Sequence, residues 1–458
     1  MRLRSPWNPR LSDATSSSPC DRLATALSED ILDGSLETGD RLPAHRDLAD
    51  QLGIGIGTVT KAYGMLERRG LVRSVKGRGT FVAISHARRG PLIDLSRNAP
   101  PAAMTERVLA RTLAAVAKRA DAGHFNHYPP FGGHDEHRRM MAQWFAKVGL
   151  AADPNVLMLT SGAHHAVAVA MSVACGHNGT LFTESETYPG AIALARFQGV
   201  PLRGVAIDDE GLIPDALDRA LANCKTERAA VYVTPTMQNP TAATMSLSRR
   251  QDIVSVCRAR SATIIEDDVY ALRADESLPP LAMLAPERTF YANSMSKTVN
   301  PSMRIGGLVV PGSSIDAALN TLQATAVMVS PLTCALMEQW ILDGTADALS
   351  LSIQTEAERR TIIAETILGG LMKKRERRGY HVWLPMTKQK AAHIELAARS
   401  IGVLLTPPSS TAATDDNDGG LRLCLGAPSL PDLTCALESM AKLLAQASAP
   451  TAISSSLF

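Results

Sequence analysis

No stretch of this 458-residue chain is apolar for the roughly 18 residues that a bilayer-spanning helix takes. The nearest, Ala166–Cys175, is short and bounded by His165 and His177. Residues 1–20 lack the apolar run of a secretory signal, and their Ser- and Pro-rich composition predicts a disordered N-terminus. Cysteine is scarce and unpatterned: Cys20, Cys175, Cys224, Cys257, Cys334, Cys424 and Cys435 form no C-x-x-C pair and are odd in number. A disulfide framework is not expected, and buried reduced thiols in a cytoplasmic protein are. Neither sign of charge is in excess, with 47 Lys+Arg against 45 Asp+Glu. A basic tail and an acidic disordered chain are both excluded. His124, His127, His134 and His137 fall in an H-x2-H-x6-H-x2-H array that suggests a metal. No cysteine or carboxylate cluster completes a defined site, so no metal is expected.

What is present is apolar material, 45% of residues, in a length that suggests about three units. Charge is uneven along the chain. Residues 1–90 hold 14 Lys+Arg and 10 Asp+Glu, a net +4, which leaves 33 and 35, a net −2, for the rest. Positive charge at one end points to a polyanion partner there.

Residues 21–84 read as one module. Leu23, Leu27 and Ile31 share a helical face that ends at Gly34. Ala44–Leu52 is a second predicted helix, closed by Gly53, and Thr58–Arg69 a third, with Val59, Tyr63 and Leu66 inward and Gly70 as its stop. Lys76-Gly77-Arg78-Gly79-Thr80-Phe81-Val82 predicts two short strands around a glycine turn. Three helices and a β-wing make a winged helix-turn-helix. The runs GDRLPAHRDLADQLG, TVTKAYGMLERRGLV and GRGTFV resemble the GntR family of bacterial repressors. The resemblance implies that the third helix enters the major groove, with Arg46, Thr58, Thr60 and Lys61 facing DNA and Lys76, Gly77 and Arg78 reaching it from the wing. Where that family has Ser/Thr and Arg, this chain has Gly55-Ile56-Gly57. More reliance on backbone contacts and DNA shape is therefore expected. Residues 85–92 are the expected linker.

From Ile93 the chain alternates helical and strand-like runs, as in an α/β fold with a mostly parallel sheet. Lys297 sits between small hydroxyl residues, with Ser294 before it and Arg304 after. A lysine with a lowered pKa forms a Schiff base with an aldehyde, and an arginine fork with a serine hydroxyl holds a phosphate. Pyridoxal 5'-phosphate carries both groups; an exposed loop lysine is the other reading. Thr160-Ser161-Gly162-Ala163-His164-His165 opens a helix after the strand Leu157–Leu159, which suits either an anion site or a plain turn. Glu266-Asp267-Asp268 closes an apolar strand, where open sheets bind ligands.

These stretches, with Gln238-Asn239-Pro240, resemble fold-type I pyridoxal phosphate aminotransferases in the family's chain order. The resemblance implies a seven-stranded, mostly parallel sheet with a smaller α+β C-terminal part. It implies a cofactor joined to Lys297 and held by Ser161, Gly162, Ala163, His164, Tyr188, Asn239, Asp267, Tyr270, Ser294 and Arg304. Tyr188 would stack on the ring, Asp267 pair with its nitrogen, and Asn239 and Tyr270 bond its oxygen. Arg422, in Leu421-Arg422-Leu423, would grip the carboxylate of an amino-acid ligand, with Tyr128 near it; a structural ion pair is the other reading of Arg422. The implied boundaries are 93–448 for this domain, its large part about 130–325 and its small part about 93–125 and 326–448, with a tail at 449–458.

A GntR-like head on an aminotransferase-like domain is identified as the MocR type of transcriptional regulator. That implies operator DNA, an amine or amino-acid effector that displaces Lys297 from the cofactor, and a homodimer, often head-to-tail. A working aminotransferase with an added DNA-binding module, and a sensor of pyridoxal phosphate itself, stay open beside it.

Overall fold

The computed structural model describes Trp7 and residues 18–32, 35–36, 39–68, 71–75, 79–83, 92–119, 125–272, 274–372, 379–414, 416 and 418–448. These fall into two compact units, one within 1–96, 389–406 and 428–458, the other within 97–388 and 407–427.

The first unit opens with α1 (Pro19–Leu32), whose Leu23, Leu27 and Ile31 are buried on one face, as their spacing requires. Helix α2 (His45–Leu52) ends on Gly53 in the left-handed region at φ 64°. Ala44, predicted as helical, is the extended residue before it. Helix α3 (Ile56–Arg68) starts two residues before the predicted Thr58, so Ile56 and Gly57 form its first turn. Val59, Ala62, Tyr63 and Leu66 turn inward onto Leu23, Leu27 and Leu48. Burying each valine or leucine of this set is worth about 1.5–3 kcal/mol. The Tyr63 hydroxyl donates to the Pro43 carbonyl at 3.0 Å, which satisfies its polar end. Strands β1 (Val72–Val75) and β2 (Gly79–Val82) pair antiparallel, Val75 opposite Gly79. The wing-tip residues Lys76, Gly77 and Arg78 lie outside the described residues, as do Gly34, Gly70, His124 and the tail at 449–458. Trp7 corrects the expected disorder at its own position: it is buried, and its indole donates to Asp30 at 2.6 Å. The same unit holds β3 (Ile93–Asp94), which pairs in parallel with the short strand Val403–Leu404, numbered β14 in chain order.

The second unit is built on a sheet of seven strands: β4 (Leu157–Thr160), β5 (Thr180–Glu184), β6 (Leu202–Val205), β9 (Ala229–Val233), β10 (Thr263–Asp267), β11 (Thr289–Ser294) and β12 (Gly306–Val309). Strands β7 (Ile207–Asp208) and β8 (Gly211–Leu212) form a small hairpin beside it. The order is β4-β12-β11-β10-β9-β5-β6. Only β12 runs antiparallel to its neighbours, on both sides. Strands β4, β5 and β11 are buried throughout, including polar residues such as Thr183, Glu184, Asn293 and Ser294 at or near their ends. The helix Ala163–Cys175 packs Ala166, Val167, Ala170 and Met171 into one core with Tyr232, Ile265 and Phe290. In-register pairing of β9, β10 and β11 brings Val233, Asp267 and Ser294 to the same sheet edge, and Thr160 joins them across Gly306. A separate ribbon pairs β13 (His381–Thr387) with β15 (Asp418–Cys424), Trp383 opposite Arg422.

Candidate functional site

At that edge lies a cavity of about 360 Å³, lined by His164, Tyr188, Asn239, Asp267, Tyr270 and Lys297 among others. Ala163, Ser294 and Arg304 also line it. Ser161 and Gly162 adjoin it through Arg304, and Arg422 reaches it through Asn239. Tyr128 is not brought to it; its side chain is 80% exposed.

Lys297 follows β11, and its Nζ donates to the backbone carbonyl of Asn98 and lies 5.7 Å from the Tyr270 ring centre. Burial brings its pKa down to about 8, and Arg422 and Arg304 push the same way against Asp267 and Cys424. An exposed loop lysine is therefore not what the fold makes of this residue.

Asp267 ends β10 fully inside. Its Oδ2 accepts from the Tyr232 hydroxyl at 2.8 Å, and its Oδ1 is buried with no partner among the described residues. Burial raises its pKa to about 6, and the Tyr232 bond and Lys297 oppose that rise. Asn239 accepts from Arg422 Nη1 at 2.6 Å through Oδ1 and donates to the Tyr270 hydroxyl at 3.4 Å through Nδ2. The Asn239–Pro240 peptide is cis.

Arg304, in the left-handed region at φ 46°, donates to the Ser161 carbonyl at 3.3 Å and to Ser296 Oγ at 3.4 Å. Gly162 is required here: its φ is +87°, and a Cβ would stand 3.0 Å from Arg304 Nη2. The Ser161 N–H, expected to face an anion, instead donates to His165 Nδ1 at 3.2 Å. His165 Nε2 therefore carries its proton toward Thr325 Oγ1 at 2.9 Å, and burial lowers its pKa to match. His164 Nδ1 meets the Tyr188 hydroxyl at 3.4 Å, and burial, then Arg304, lower its pKa. Gly190 gives the Tyr188 ring its place, since a Cβ there would fall 2.3 Å from Tyr188 Cζ. Ser294 is buried, and its Oγ accepts from the Ser296 N–H at 3.3 Å.

Three residues of this site escaped the sequence reading: Asn98, Tyr232 and His381. The Asn98 Nδ2 donates to the Tyr270 hydroxyl at 2.9 Å and meets His381 Nδ1 at 3.2 Å. A hydroxyl near the end of a buried parallel strand was the one available signal for Tyr232; nothing local marks the other two. Among the described residues no group of three His, Cys, Asp or Glu is placed to hold a metal. His137 lies 3.8 Å from Glu338 and His134 stacks edge-on against it. In the DNA-binding module Thr60 and Lys61 are exposed on α3, and Thr60 Oγ1 meets His45 at 3.1 Å; Arg46 is exposed on α2 and Thr58 is half-buried.

A winged helix joined to a fold-type I aminotransferase sheet, with a half-buried lysine at its edge, defines a DNA-binding transcriptional regulator of MocR architecture. The chain belongs to the aminotransferase class I and II family, whose model matches residues 90–439; the model of the bacterial regulatory proteins of the gntR family matches residues 19–82. It is 26% identical over 408 residues to the uncharacterized HTH-type transcriptional regulator YdeF of Bacillus subtilis, covering 87% of each chain. It is 26% identical over 402 residues to the HTH-type pyridoxine biosynthesis transcriptional regulator PdxR of Corynebacterium glutamicum, covering 81% of this chain and 84% of that one. The fold is similar to LysN of Thermus thermophilus, an alpha-aminoadipate aminotransferase complexed with N-(5'-phosphopyridoxyl)-L-leucine. The TM-score is 0.68 at 21% identity, over 78% of this chain and 92% of that one.

Members of this family depend on pyridoxal phosphate. The residues present fit it. An orphaned carboxylate oxygen at Asp267, a depressed amine at Lys297 and a guanidinium held against a glycine at φ +87° are the three groups such a molecule needs. No single helix among the described residues is long and apolar enough to cross a membrane.

Proposed function

We propose that the aminotransferase-like unit holds pyridoxal phosphate on Lys297 and that an amine or amino acid, by displacing Lys297, changes the affinity of the winged helix for operator DNA. The single observation behind this is the unpartnered Asp267 Oδ1, buried in the same cavity as an amine whose pKa is about 8. A buried carboxylate oxygen without a donor costs about 1–3 kcal/mol or more, which a ligand N–H would recover.

When bound, the cofactor supplies an aldehyde that reacts with primary amines and a ring that withdraws electrons. This chain's residues do the rest. Lys297 presents a neutral amine over an appreciable fraction of time near pH 8. Asp267 Oδ1 accepts a proton donor at the ring nitrogen, and the Tyr232 hydroxyl holds Oδ2 so that Oδ1 stays free for it. Arg304, with the backbone of Gly162 and Ala163, takes the phosphate; the Ser161 N–H does not contribute, being spent on His165. Arg422 takes an effector carboxylate and orients Asn239 at the same time. The proposed division of the chain is a DNA-binding module at 21–84, a linker at 85–92 and the cofactor-binding domain at 93–448, working as a cytoplasmic homodimer on repeated half-sites.

The test is an absorbance spectrum of the purified protein with added pyridoxal phosphate, titrated with a panel of amino acids, alongside operator binding in the same samples. A visible band that moves with one compound, together with a change in operator affinity, is the expected result. Lys297→Ala should lose the band and keep operator affinity; a protein that never colours refutes the reading.

A further inference from the structure

Behind Tyr270 lies a chain of polar groups with no task in holding the cofactor. His381 is fully buried on β13, and its Nε2 lies 3.1 Å from the backbone carbonyl oxygen of Gln238. A carbonyl only accepts, so Nε2 carries the proton and Nδ1 is an acceptor. Burial, followed by Arg422, brings the His381 pKa down to about 3, so the ring stays neutral. Asn98 must then turn its amino group, not its carbonyl, toward Nδ1, at 3.2 Å. The second hydrogen of that amino group goes to the Tyr270 hydroxyl at 2.9 Å. On the other side Arg422 claims Asn239 Oδ1 and so turns Asn239 Nδ2 onto the same hydroxyl, at 3.4 Å.

Tyr270 Oη therefore receives two N–H donors, whose orientations are fixed from outside by His381 and Arg422. A phenol oxygen has two lone pairs and one proton. With both lone pairs occupied, the proton has to point to a third partner, and Tyr270 lines the same cavity as Lys297. The arrangement has a cost: Asn98 Oδ1 is buried with no partner among the described residues. A network built only for stability would turn that oxygen toward a donor.

We propose that Asn98 and His381 are positioning residues that lock the Tyr270 hydroxyl as a one-way donor into the cavity, toward an anionic ring oxygen of the ligand. The inference rests on the reading that Lys297 carries pyridoxal phosphate there.

The experiment uses the full chain loaded with pyridoxal phosphate and reads the pH midpoint of its visible band. Four proteins are compared: wild type, Asn98→Ala, His381→Phe and His381→Gln. A donor aimed at the ligand oxygen favours its anionic form, so releasing Tyr270 raises the midpoint. Asn98→Ala and His381→Phe should move it up by about one unit, the worth of a hydrogen bond to a charged group. His381→Gln, which can donate to Gln238 and accept from Asn98, should stay with wild type. The groups facing Lys297, namely Asp267, Arg304, Arg422 and Cys424, are unchanged in all four. Should His381→Phe fail to fold, Asn98→Ala decides. Coloured variants with the wild-type midpoint overturn the inference and leave the cofactor reading intact. A wild type that shows no band removes both.

Discussion

The amine of Lys297 should titrate near neutrality in the cofactor-free protein, and the rate at which it captures an aldehyde should show it. The pKa falls from 10.5 to about 8, so holding the charged form in place costs about 3 kcal/mol relative to water. Only the neutral amine attacks a carbonyl. With a pKa of about 8, the neutral fraction climbs from about 9% at pH 7 to about 91% at pH 9, a tenfold rise that then flattens. An ordinary lysine would gain about a hundredfold over the same interval and keep climbing. Stopped-flow absorbance with pyridoxal phosphate, corrected by Lys297→Ala for surface lysines, separates the two curves. The sign of each neighbour is fixed as well. Arg422 disfavours the charged amine, so Arg422→Met should move the midpoint up; Asp267 favours it, so Asp267→Asn should move it down. A rate still rising steeply past pH 10 refutes the desolvation of this amine.

Tyr232→Phe removes the hydroxyl that donates to Asp267 Oδ2. That bond favours the carboxylate, so its loss lifts the Asp267 pKa above about 6. Cofactor affinity measured by calorimetry should fall by roughly three- to tenfold, the worth of one hydrogen bond, with the deficit shrinking as pH rises. Gly190→Ala would drive a methyl to 2.3 Å from Tyr188 Cζ. The ring has to leave its position, and cofactor affinity should drop while operator affinity holds. Gly57→Ala meets no atom within 4 Å and no left-handed backbone. It should raise the melting temperature by a stability gain of up to about 1 kcal/mol. If DNA approaches α3 as closely as an exposed Gly-Ile-Gly permits, fluorescence anisotropy will show weaker operator binding from the same, more stable variant.

The residues legible beforehand were those whose chemistry is written locally. Lys297, Ser294 and Arg304 sit within one short stretch, and Asp267 and Tyr270 within another. The helical faces of the head followed from spacing, because α1 and α3 each bury a single stripe. Asn98 and His381 were illegible for a different reason. They stand 172 and 111 residues from Tyr270, and only the tertiary fold brings them within reach. The antiparallel placement of β12 was equally hidden, since a buried strand has the same apolar sequence in either direction. The Ser161 N–H misled because a small-residue loop opening a helix reads as an anion cradle, whereas here His165 closes the loop by taking that N–H.

Four strand ends, those of β4, β9, β10 and β11, meet at one edge although their residues are scattered from 160 to 294. No fragment of the chain owns the pocket. Colour in a chromatographic fraction would then certify that the whole sheet has closed, and every increment of cofactor affinity would be shared by the entire sheet rather than by one loop. A regulator assembled this way reports its own completeness before it reports anything about its ligand.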